Sequence, residues 1–343
     1  MAPLAVAAFG EIMLRLSPSG KERLLQGAHL QASFGGGEAN VLVSLAALGH
    51  RTRFITFVPD NALGDAAAAE LRKRGVGTDF VLRREGRLGL YFLEHGSGPR
   101  PSQVLYDRER SSLEKAGPGD VDWGRALKGV AWFHVTGITP ALSPSAAALT
   151  EEGVREARAA GIKVSLDLNY RSKLWRYGKT APEVMGGLAA AADILLANEE
   201  DCRKALGISA GTDSKAAADL RSAEKLTALV MERFPGLEAL AVTLRGSLGA
   251  DRNLWTAVLR TREGFWCGPS YDIFPVTDRV GAGDAFAAGF IHGWSRPFGP
   301  EKTLGFALAA SCLKHTIPGD WNLISESEAL GLLEGDGSGR IIR

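Results

Sequence analysis

No stretch of this chain is apolar enough, for long enough, to span a bilayer. Residues 2–9 are apolar, but they lack a basic leader and run into Gly10-Glu11; they read as a first strand and not as a signal peptide. Cysteine is scarce. Cys202, Cys267 and Cys312 are odd in number and widely spaced, without disulfide, metal or redox spacing, which suits buried thiols in a reducing cytoplasm. The six histidines form no ligand cluster. An excess of one charge is also missing. Forty Lys and Arg stand against 39 Asp and Glu, and a formal net charge of +1 removes the electrostatic case for a nucleic-acid partner.

What is present is length and alternation. A chain of 343 residues can bury a large core as one α/β domain, and residues 1–343 are read as a single domain with small insertions. Short, dense apolar runs at 54–58, 130–135, 164–168, 194–197 and 239–244 have the composition of strands covered on both faces. Between them lie Ala-rich stretches with helical spacing, at 66–74, 145–160 and 216–234. This alternation predicts a doubly wound, mainly parallel sheet flanked by helices, with ligands beyond the carboxyl ends of the strands. Two stretches, about 14–33 and 88–110, break the pattern with polar, turn-rich, strand-like sequence. Residues 90–95 and 103–108 alternate like half-exposed strands, either as a small β-sheet lid or as a solvated hairpin. The Gly-rich tail 335–339 reads as a loose end.

The most informative segment is Asp278-Arg279-Val280-Gly281-Ala282-Gly283-Asp284, followed at once by an apolar helical run. Gly281 and Gly283 leave backbone N–H groups uncovered where a helix begins, and a helix start carries unpaired donors and partial positive charge. An acid beside such an anion seat repels a phosphate unless it has its own task, such as taking a proton from an attacking hydroxyl. The alternative is a tight turn with Asp284 capping the helix. A second glycine cluster, Phe34-Gly35-Gly36-Gly37-Glu38-Ala39-Asn40, opens another helix near the N-terminus. Its glycines allow close backbone approach to a ligand, and Asn40 offers a donor and an acceptor to hydroxyls.

With both segments in the same chain and in this order, the sequence resembles the ribokinase-like, or phosphofructokinase-B, carbohydrate kinases nearly end to end. Arg279 stands where most members have Thr, and Leu42 where a small residue is usual. The Asp278-Arg279-Val280 form resembles the branch that phosphorylates 2-keto-3-deoxygluconate, as do Asp167-Leu168-Asn169-Tyr170-Arg171 and Lys314-His315-Thr316-Ile317-Pro318-Gly319-Asp320. No P-loop signature Gly-x-x-x-x-Gly-Lys-Ser/Thr occurs, which argues against the other large class of nucleotide-using kinases.

The resemblance implies the site residue by residue. Asp284 is the catalytic base, and Gly281, Ala282 and Gly283 hold the transferring phosphoryl group. Gly36 and Asn40 contact the sugar, Arg171 grips its carboxylate, and Tyr91, Tyr106 and Arg108 meet it from the lid, with Arg110 a rival for the Arg108 role. Tyr106 and Arg108 are two apart, so in a strand they share a face. ATP falls to Asn198, Thr243, Arg245, Gly246, Gly249 and the two turn glycines; a plain hairpin would use the same Gly246 and Gly249. The late helical stretch 306–316 flanks the adenine. Mg²⁺ is implied at Glu200 and Asp201, through water. Asp201 is one methylene shorter than the Glu usual in that place, and an acidic first helical turn is the competing explanation.

The expected activity is ATP- and Mg²⁺-dependent phosphorylation of 2-keto-3-deoxygluconate on its terminal hydroxyl, in the cytoplasm, by a homo-oligomer paired through the lid. The alternatives are a fructokinase or other neutral-sugar kinase of the same fold, and a sugar-binding regulatory protein without catalysis. Arg108 and Arg171 favour a sugar acid, because a neutral sugar leaves two cations without a partner.

Overall fold

The computed structural model describes residues 3–211 and 219–335. The chain runs in the order β1 (Ala5–Phe9), β2 (Met13–Ser17), β3 (Gln31–Gly35), α1 (Gly37–Ala47), β4 (Arg51–Val58), α2 (Ala62–Lys73), β5 (Val76–Arg83), β6 (Gly89–Glu94) and β7 (Gln103–Asp107). It continues through α3 (Trp123–Ala126), β8 (Trp132–Thr136), α4 (Pro144–Ala159), β9 (Lys163–Asp167), α5 (Ala181–Ala191), β10 (Ile194–Asn198), α6 (Glu199–Ala205) and α7 (Leu220–Arg233). It ends with β11 (Ala239–Ser247), β12 (Asn253–Thr261), β13 (Phe265–Cys267), β14 (Tyr271–Ile273), α8 (Ala282–Trp294), α9 (Gly299–Lys314) and α10 (Glu326–Leu333).

The large sheet has the order β13-β12-β11-β10-β9-β8-β1-β4-β5, with β14 also on β12. From β11 to β5 every pairing is parallel, and β12 to β14 close one edge antiparallel. The chain winds from β1 outward through β4 and β5, then returns to β8 and winds the other way. That reversal opens a crevice beyond the carboxyl ends of the central strands. Both faces of the sheet are buried, and β1 shows how. Ala7 and Phe9 join a core with Phe133, Leu166, Val242 and residues of α4, α5 and α7. Val6 and Ala8 join another with Phe54, Leu196 and Phe290, under α1, α2, α8 and α9. The expected strands all form, each within a few residues of its predicted bounds. The helix predicted over 216–234 forms as α7, residues 216–218 lying outside the described residues, as do 336–339 of the tail.

The two insertions meet in a separate four-stranded sheet of order β3-β2-β6-β7. The parallel pairing of β2 with β6, residues far apart in sequence, rules out a simple solvated hairpin. The same topology brings the end of β3 and the start of α1 against the crevice of the large sheet.

Candidate active site

Asp284 sits in the first turn of α8, whose N-terminal residue, Gly281, has φ 81°. Only glycine enters this left-handed conformation cheaply, and here the space is closed as well: a Cβ on Gly281 would stand 2.0 Å from the Asp320 backbone oxygen. Gly283 is the reverse case, with no atom within 4 Å of where its Cβ would be. The turn therefore packs tightly at Gly281 and leaves open space beside Gly283. Asp284 is only 8% exposed. Asn40 Nδ2 donates to Asp284 Oδ2 at 2.7 Å, and Gly36 N–H donates to Asn40 Oδ1 at 3.2 Å. Gly36 is fixed in turn by Glu11, whose carbonyl oxygen lies 1.9 Å from the place of a Gly36 Cβ. Burial raises the Asp284 pKa to about 7; the Asn40 bond and Arg171 oppose the rise, while Asp320 and Glu38 add to it. A carboxylate held near neutrality is suited to accept a proton and release it again.

A cleft of about 630 Å³ opens over this turn. Gly36, Asn40, Tyr91, Tyr106, Arg108 and Arg171 line it, together with Gly281, Ala282, Gly283 and Asp284. Asn198, Glu200, Asp201, Thr243 and Arg245 line its other reach. Gly246 and Gly249 are not brought to the cleft wall. Gly249 belongs to the turn between β11 and β12, and Arg279 Nη2 donates to the carbonyls of Gly249 at 3.1 Å and Ala250 at 2.5 Å. The arginine that replaces the usual Thr thus splints this turn.

Arg171 reaches the cleft because of the backbone just before it. Asn169 has φ 35°, a left-handed conformation that Asn tolerates, and its N–H donates to Asp167 Oδ1 at 3.1 Å. The exposed Arg171 guanidinium donates to its neighbour's carbonyl, Tyr170 O, at 3.1 Å, and bonds to no carboxylate among the described residues. Asp167, beside it, has its pKa raised well above the usual range by burial and by Asp201 and Asp284, with Arg171 opposing.

Arg108 differs from its expected state. It lies one residue beyond β7, is buried, and is paired with Glu11. A neutral sugar would therefore leave one unpaired cation here, not two. Its guanidinium carbon sits 5.7 Å from the Tyr106 ring centroid, so the two do share a side of the lid. Arg110 is exposed, does not line the cleft, and spends its N–H on Glu114 Oε2 at 2.5 Å. The Tyr91 hydroxyl donates to Asp320 Oδ2 at 2.5 Å.

Asp201 is used structurally. Its Oδ1 accepts from Tyr170 N at 3.0 Å and its Oδ2 from Asn198 N at 3.3 Å, while Asp201 N donates to Asn198 Oδ1 at 2.8 Å. The shorter side chain completes a capping box on α6. Glu200 is exposed, as Glu199 is, and of the two it is Glu200 that lines the cleft. Among the described residues no group of three or more His, Cys, Asp or Glu side chains is placed to hold a metal ion. Mg²⁺ keeps several waters and takes nucleotide phosphates with one or two carboxylates, so Glu200, with Asp201 behind it, fits that need.

Sequence reasoning missed three side chains. Arg15 on β2 donates from Nη2 to Asp278 Oδ2 at 2.6 Å and from Nη1 to Asp320 Oδ1 at 2.8 Å, all three buried. Glu38, fully enclosed, accepts from Thr136 N–H and from the Thr136 and Thr139 hydroxyls, tying α1 to the end of β8. Glu11 was passed over as the residue that stops the first strand.

Residues 4–325 match the family described as pfkB family carbohydrate kinase, and the chain belongs to that family, with its ribokinase-like fold. Its relatives narrow the comparison. The solved structure of 2-dehydro-3-deoxygluconokinase from Thermotoga maritima aligns with a TM-score of 0.92 at 41% identity, covering 97% of this chain and 99% of that one. The 2-dehydro-3-deoxygalactonokinase of Haloferax volcanii is 31% identical over 339 residues, 96% of this chain and 97% of that protein. The 2-dehydro-3-deoxygluconokinase of Bacillus subtilis is 29% identical over 333 residues, 95% and 94% of the two chains. No helix among the described residues is long and apolar enough to cross a membrane.

Proposed function

We propose that the chain transfers the γ-phosphoryl group of ATP to the terminal hydroxyl of 2-keto-3-deoxygluconate, giving the 6-phosphate and ADP. The observation that carries this reading is Asp284, buried in the first turn of α8 beside Gly283 and facing the cleft. The hydroxyl oxygen attacks phosphorus, the bond to the ADP oxygen breaks, and the hydroxyl proton passes to Asp284. The amides of the Gly281–Gly283 turn hold the transferring group, and the positive end of α8 favours its charge. Asn40 orients the base. Bound Mg²⁺ would supply charge neutralisation on the phosphates, with Glu200 and Asp201 the residues to meet it.

Arg171 supports a sugar acid over a neutral hexose, since among the described residues its guanidinium bonds to no carboxylate, although its charge acts on Asp167, Asp201 and Asp284. Arg108 supports it less, because Glu11 already balances it. The relatives named for 2-dehydro-3-deoxygluconate and 2-dehydro-3-deoxygalactonate agree with this substrate class. A screen of ATP turnover over both of these C4 epimers, fructose and ribose tests the reading. Preferred turnover of the gluconate form is expected. Preference for fructose would replace the substrate, and no ADP release with any sugar would favour a binding protein without catalysis.

The lid is also proposed as the subunit contact, since its edge strand β7 exposes Leu105 at 59% and an uncovered edge invites pairing. Light scattering at micromolar concentration is expected to give at least a dimer; a monomer would remove this part.

A further inference from the structure

The lid sheet is joined to the glycine turn by a buried, charge-balanced cluster. Arg15 meets two carboxylates, Asp278 and Asp320, with Lys314 behind them on backbone carbonyls, and each of the four is 4% exposed or less. Arg15 comes from the lid. Its fork spans both carboxylates, and it also touches Ser17 Oγ at 2.9 Å and His95 Nε2 at 3.1 Å, both lid residues. Burial works against the Arg15 charge, but Asp278 and Asp320 outweigh it and raise its pKa.

The two carboxylates belong to the phosphate side. Asp278 begins the motif that ends in Asp284, and its Oδ1 accepts from Val280 N at 3.0 Å, one residue before Gly281. Its Oδ2 accepts from Gly319 N at 3.1 Å, joining the turn to the 319–320 segment. Asp320 fills the space that two glycines leave. Its Oδ2 lies 2.2 Å from the place of a Gly35 Cβ, at the end of lid strand β3, and its carbonyl oxygen lies 2.0 Å from that of Gly281. The same Oδ2 accepts the hydroxyl of Tyr91, a lid residue facing the cleft. Lys314 Nζ, at the end of α9, donates to Ile317 O at 3.0 Å and reaches Asp278 O at 3.4 Å, holding the two loops together from behind.

We propose that Arg15 is a positioning residue for phosphoryl transfer: through Asp278 and Asp320 it makes the seat of the lid over the sugar and the shape of the anion turn one event. The physical reason is that both carboxylates are fixed to backbone amides or glycine surfaces, so a shift of the lid root displaces the turn directly. A misplacement near 1 Å at a phosphoryl seat costs about 10²-fold in rate. The inference rests on the kinase reading above.

Arg15→Lys tests it. One ammonium keeps the charge but cannot span two carboxylates as the planar fork does. We expect kcat to fall about 10- to 100-fold. The deciding readout is coupling: the Kd of the sugar is measured with and without a non-hydrolysable ATP analogue. The parent should bind sugar about fivefold or more tightly with the analogue present, and the variant should lose that ratio. An unchanged ratio, whether or not kcat falls, reduces Arg15 to a structural ion pair and overturns the proposal, as does a ratio of one in the parent. Should Arg15→Lys fail to fold in a thermal melt, Asp320→Asn, which keeps the shape and removes one charge, is measured in its place with the same expectations. The sugar used is whichever the parent phosphorylates. A parent that takes fructose overturns the substrate reading and still tests the positioning role of Arg15, whereas a parent that phosphorylates no sugar overturns both.

Discussion

Asp284 and Asp320 are both buried carboxylates lining one cleft, and both lie against the same glycine turn. Their surroundings differ. Asp320 accepts from a guanidinium and a phenol, so its charge is answered by a fixed cation. Asp284 accepts from one neutral amide, and among the described residues no cation bonds to it. Burial raises the pKa of each, but only Asp284 lacks a direct ionic partner. The lesson is that compensation separates the two uses of a buried acid. A compensated carboxylate fixes structure, and an uncompensated one is left able to exchange a proton.

The sharpest way to break this comparison is to remove Asp284. Asp284→Ala should lower kcat by roughly 10²–10⁴-fold while the Kd for ATP stays within a few-fold, the scale of a lost general base. Activity within a few-fold of the parent would return Asp284 to a helix cap. Arg171 is the next test, because it is the cation near Asp284 that structure does not consume. Arg171→Ala should cost about ten- to a hundredfold in kcat/KM for the sugar acid and much less for an analogue lacking the carboxylate. Equal losses on both substrates would mean that Arg171 does not read the carboxylate.

The smallest effect concerns stability, and its sign follows from the raised pKa of Asp284. The folded-state pKa of Asp284, about 7, lies above its unfolded value. Between roughly pH 4 and 7 the folded chain therefore holds a proton that the unfolded chain has given up, and stability falls as pH rises through that window. Asp284→Asn, neutral at every pH, should melt a few degrees higher than the parent at pH 8 and show a smaller gain at pH 5. A gain that is the same at both pH values would mean that the Asp284 charge is not the source.

Local pattern made part of this legible. The glycine turn, Asp284 and Asn40 stand within short segments whose spacing alone implies a helix start and an anion seat. The buried strands announce themselves as apolar runs for the same reason. The capping role of Asp201 was also within reach, since Asn198 lies three residues before it. Arg15 and Asp320 were not, because they meet across 305 residues of sequence and neither pattern names the other. Arg108 and Glu11, 97 residues apart, failed for the same reason, and the pairing changed what Arg108 is free to do. Gly246 and Gly249 are the reverse case: a local pattern shared by any hairpin drew attention to them, and they are not part of the cleft wall.

The Gly36 amide pins the Asn40 carbonyl, so the Asn40 side chain cannot turn over, and Asp284 Oδ2 is permanently occupied by a donor. On the proposed reaction the captured proton must rest on Oδ1, which no protein donor reaches among the described residues. Behind it lie Phe286 and the rest of the α8 core, which offer no relay to solvent. On that reading the route open to the proton among the described residues is the mouth of the cleft. Resetting the base and releasing the product would then share one route.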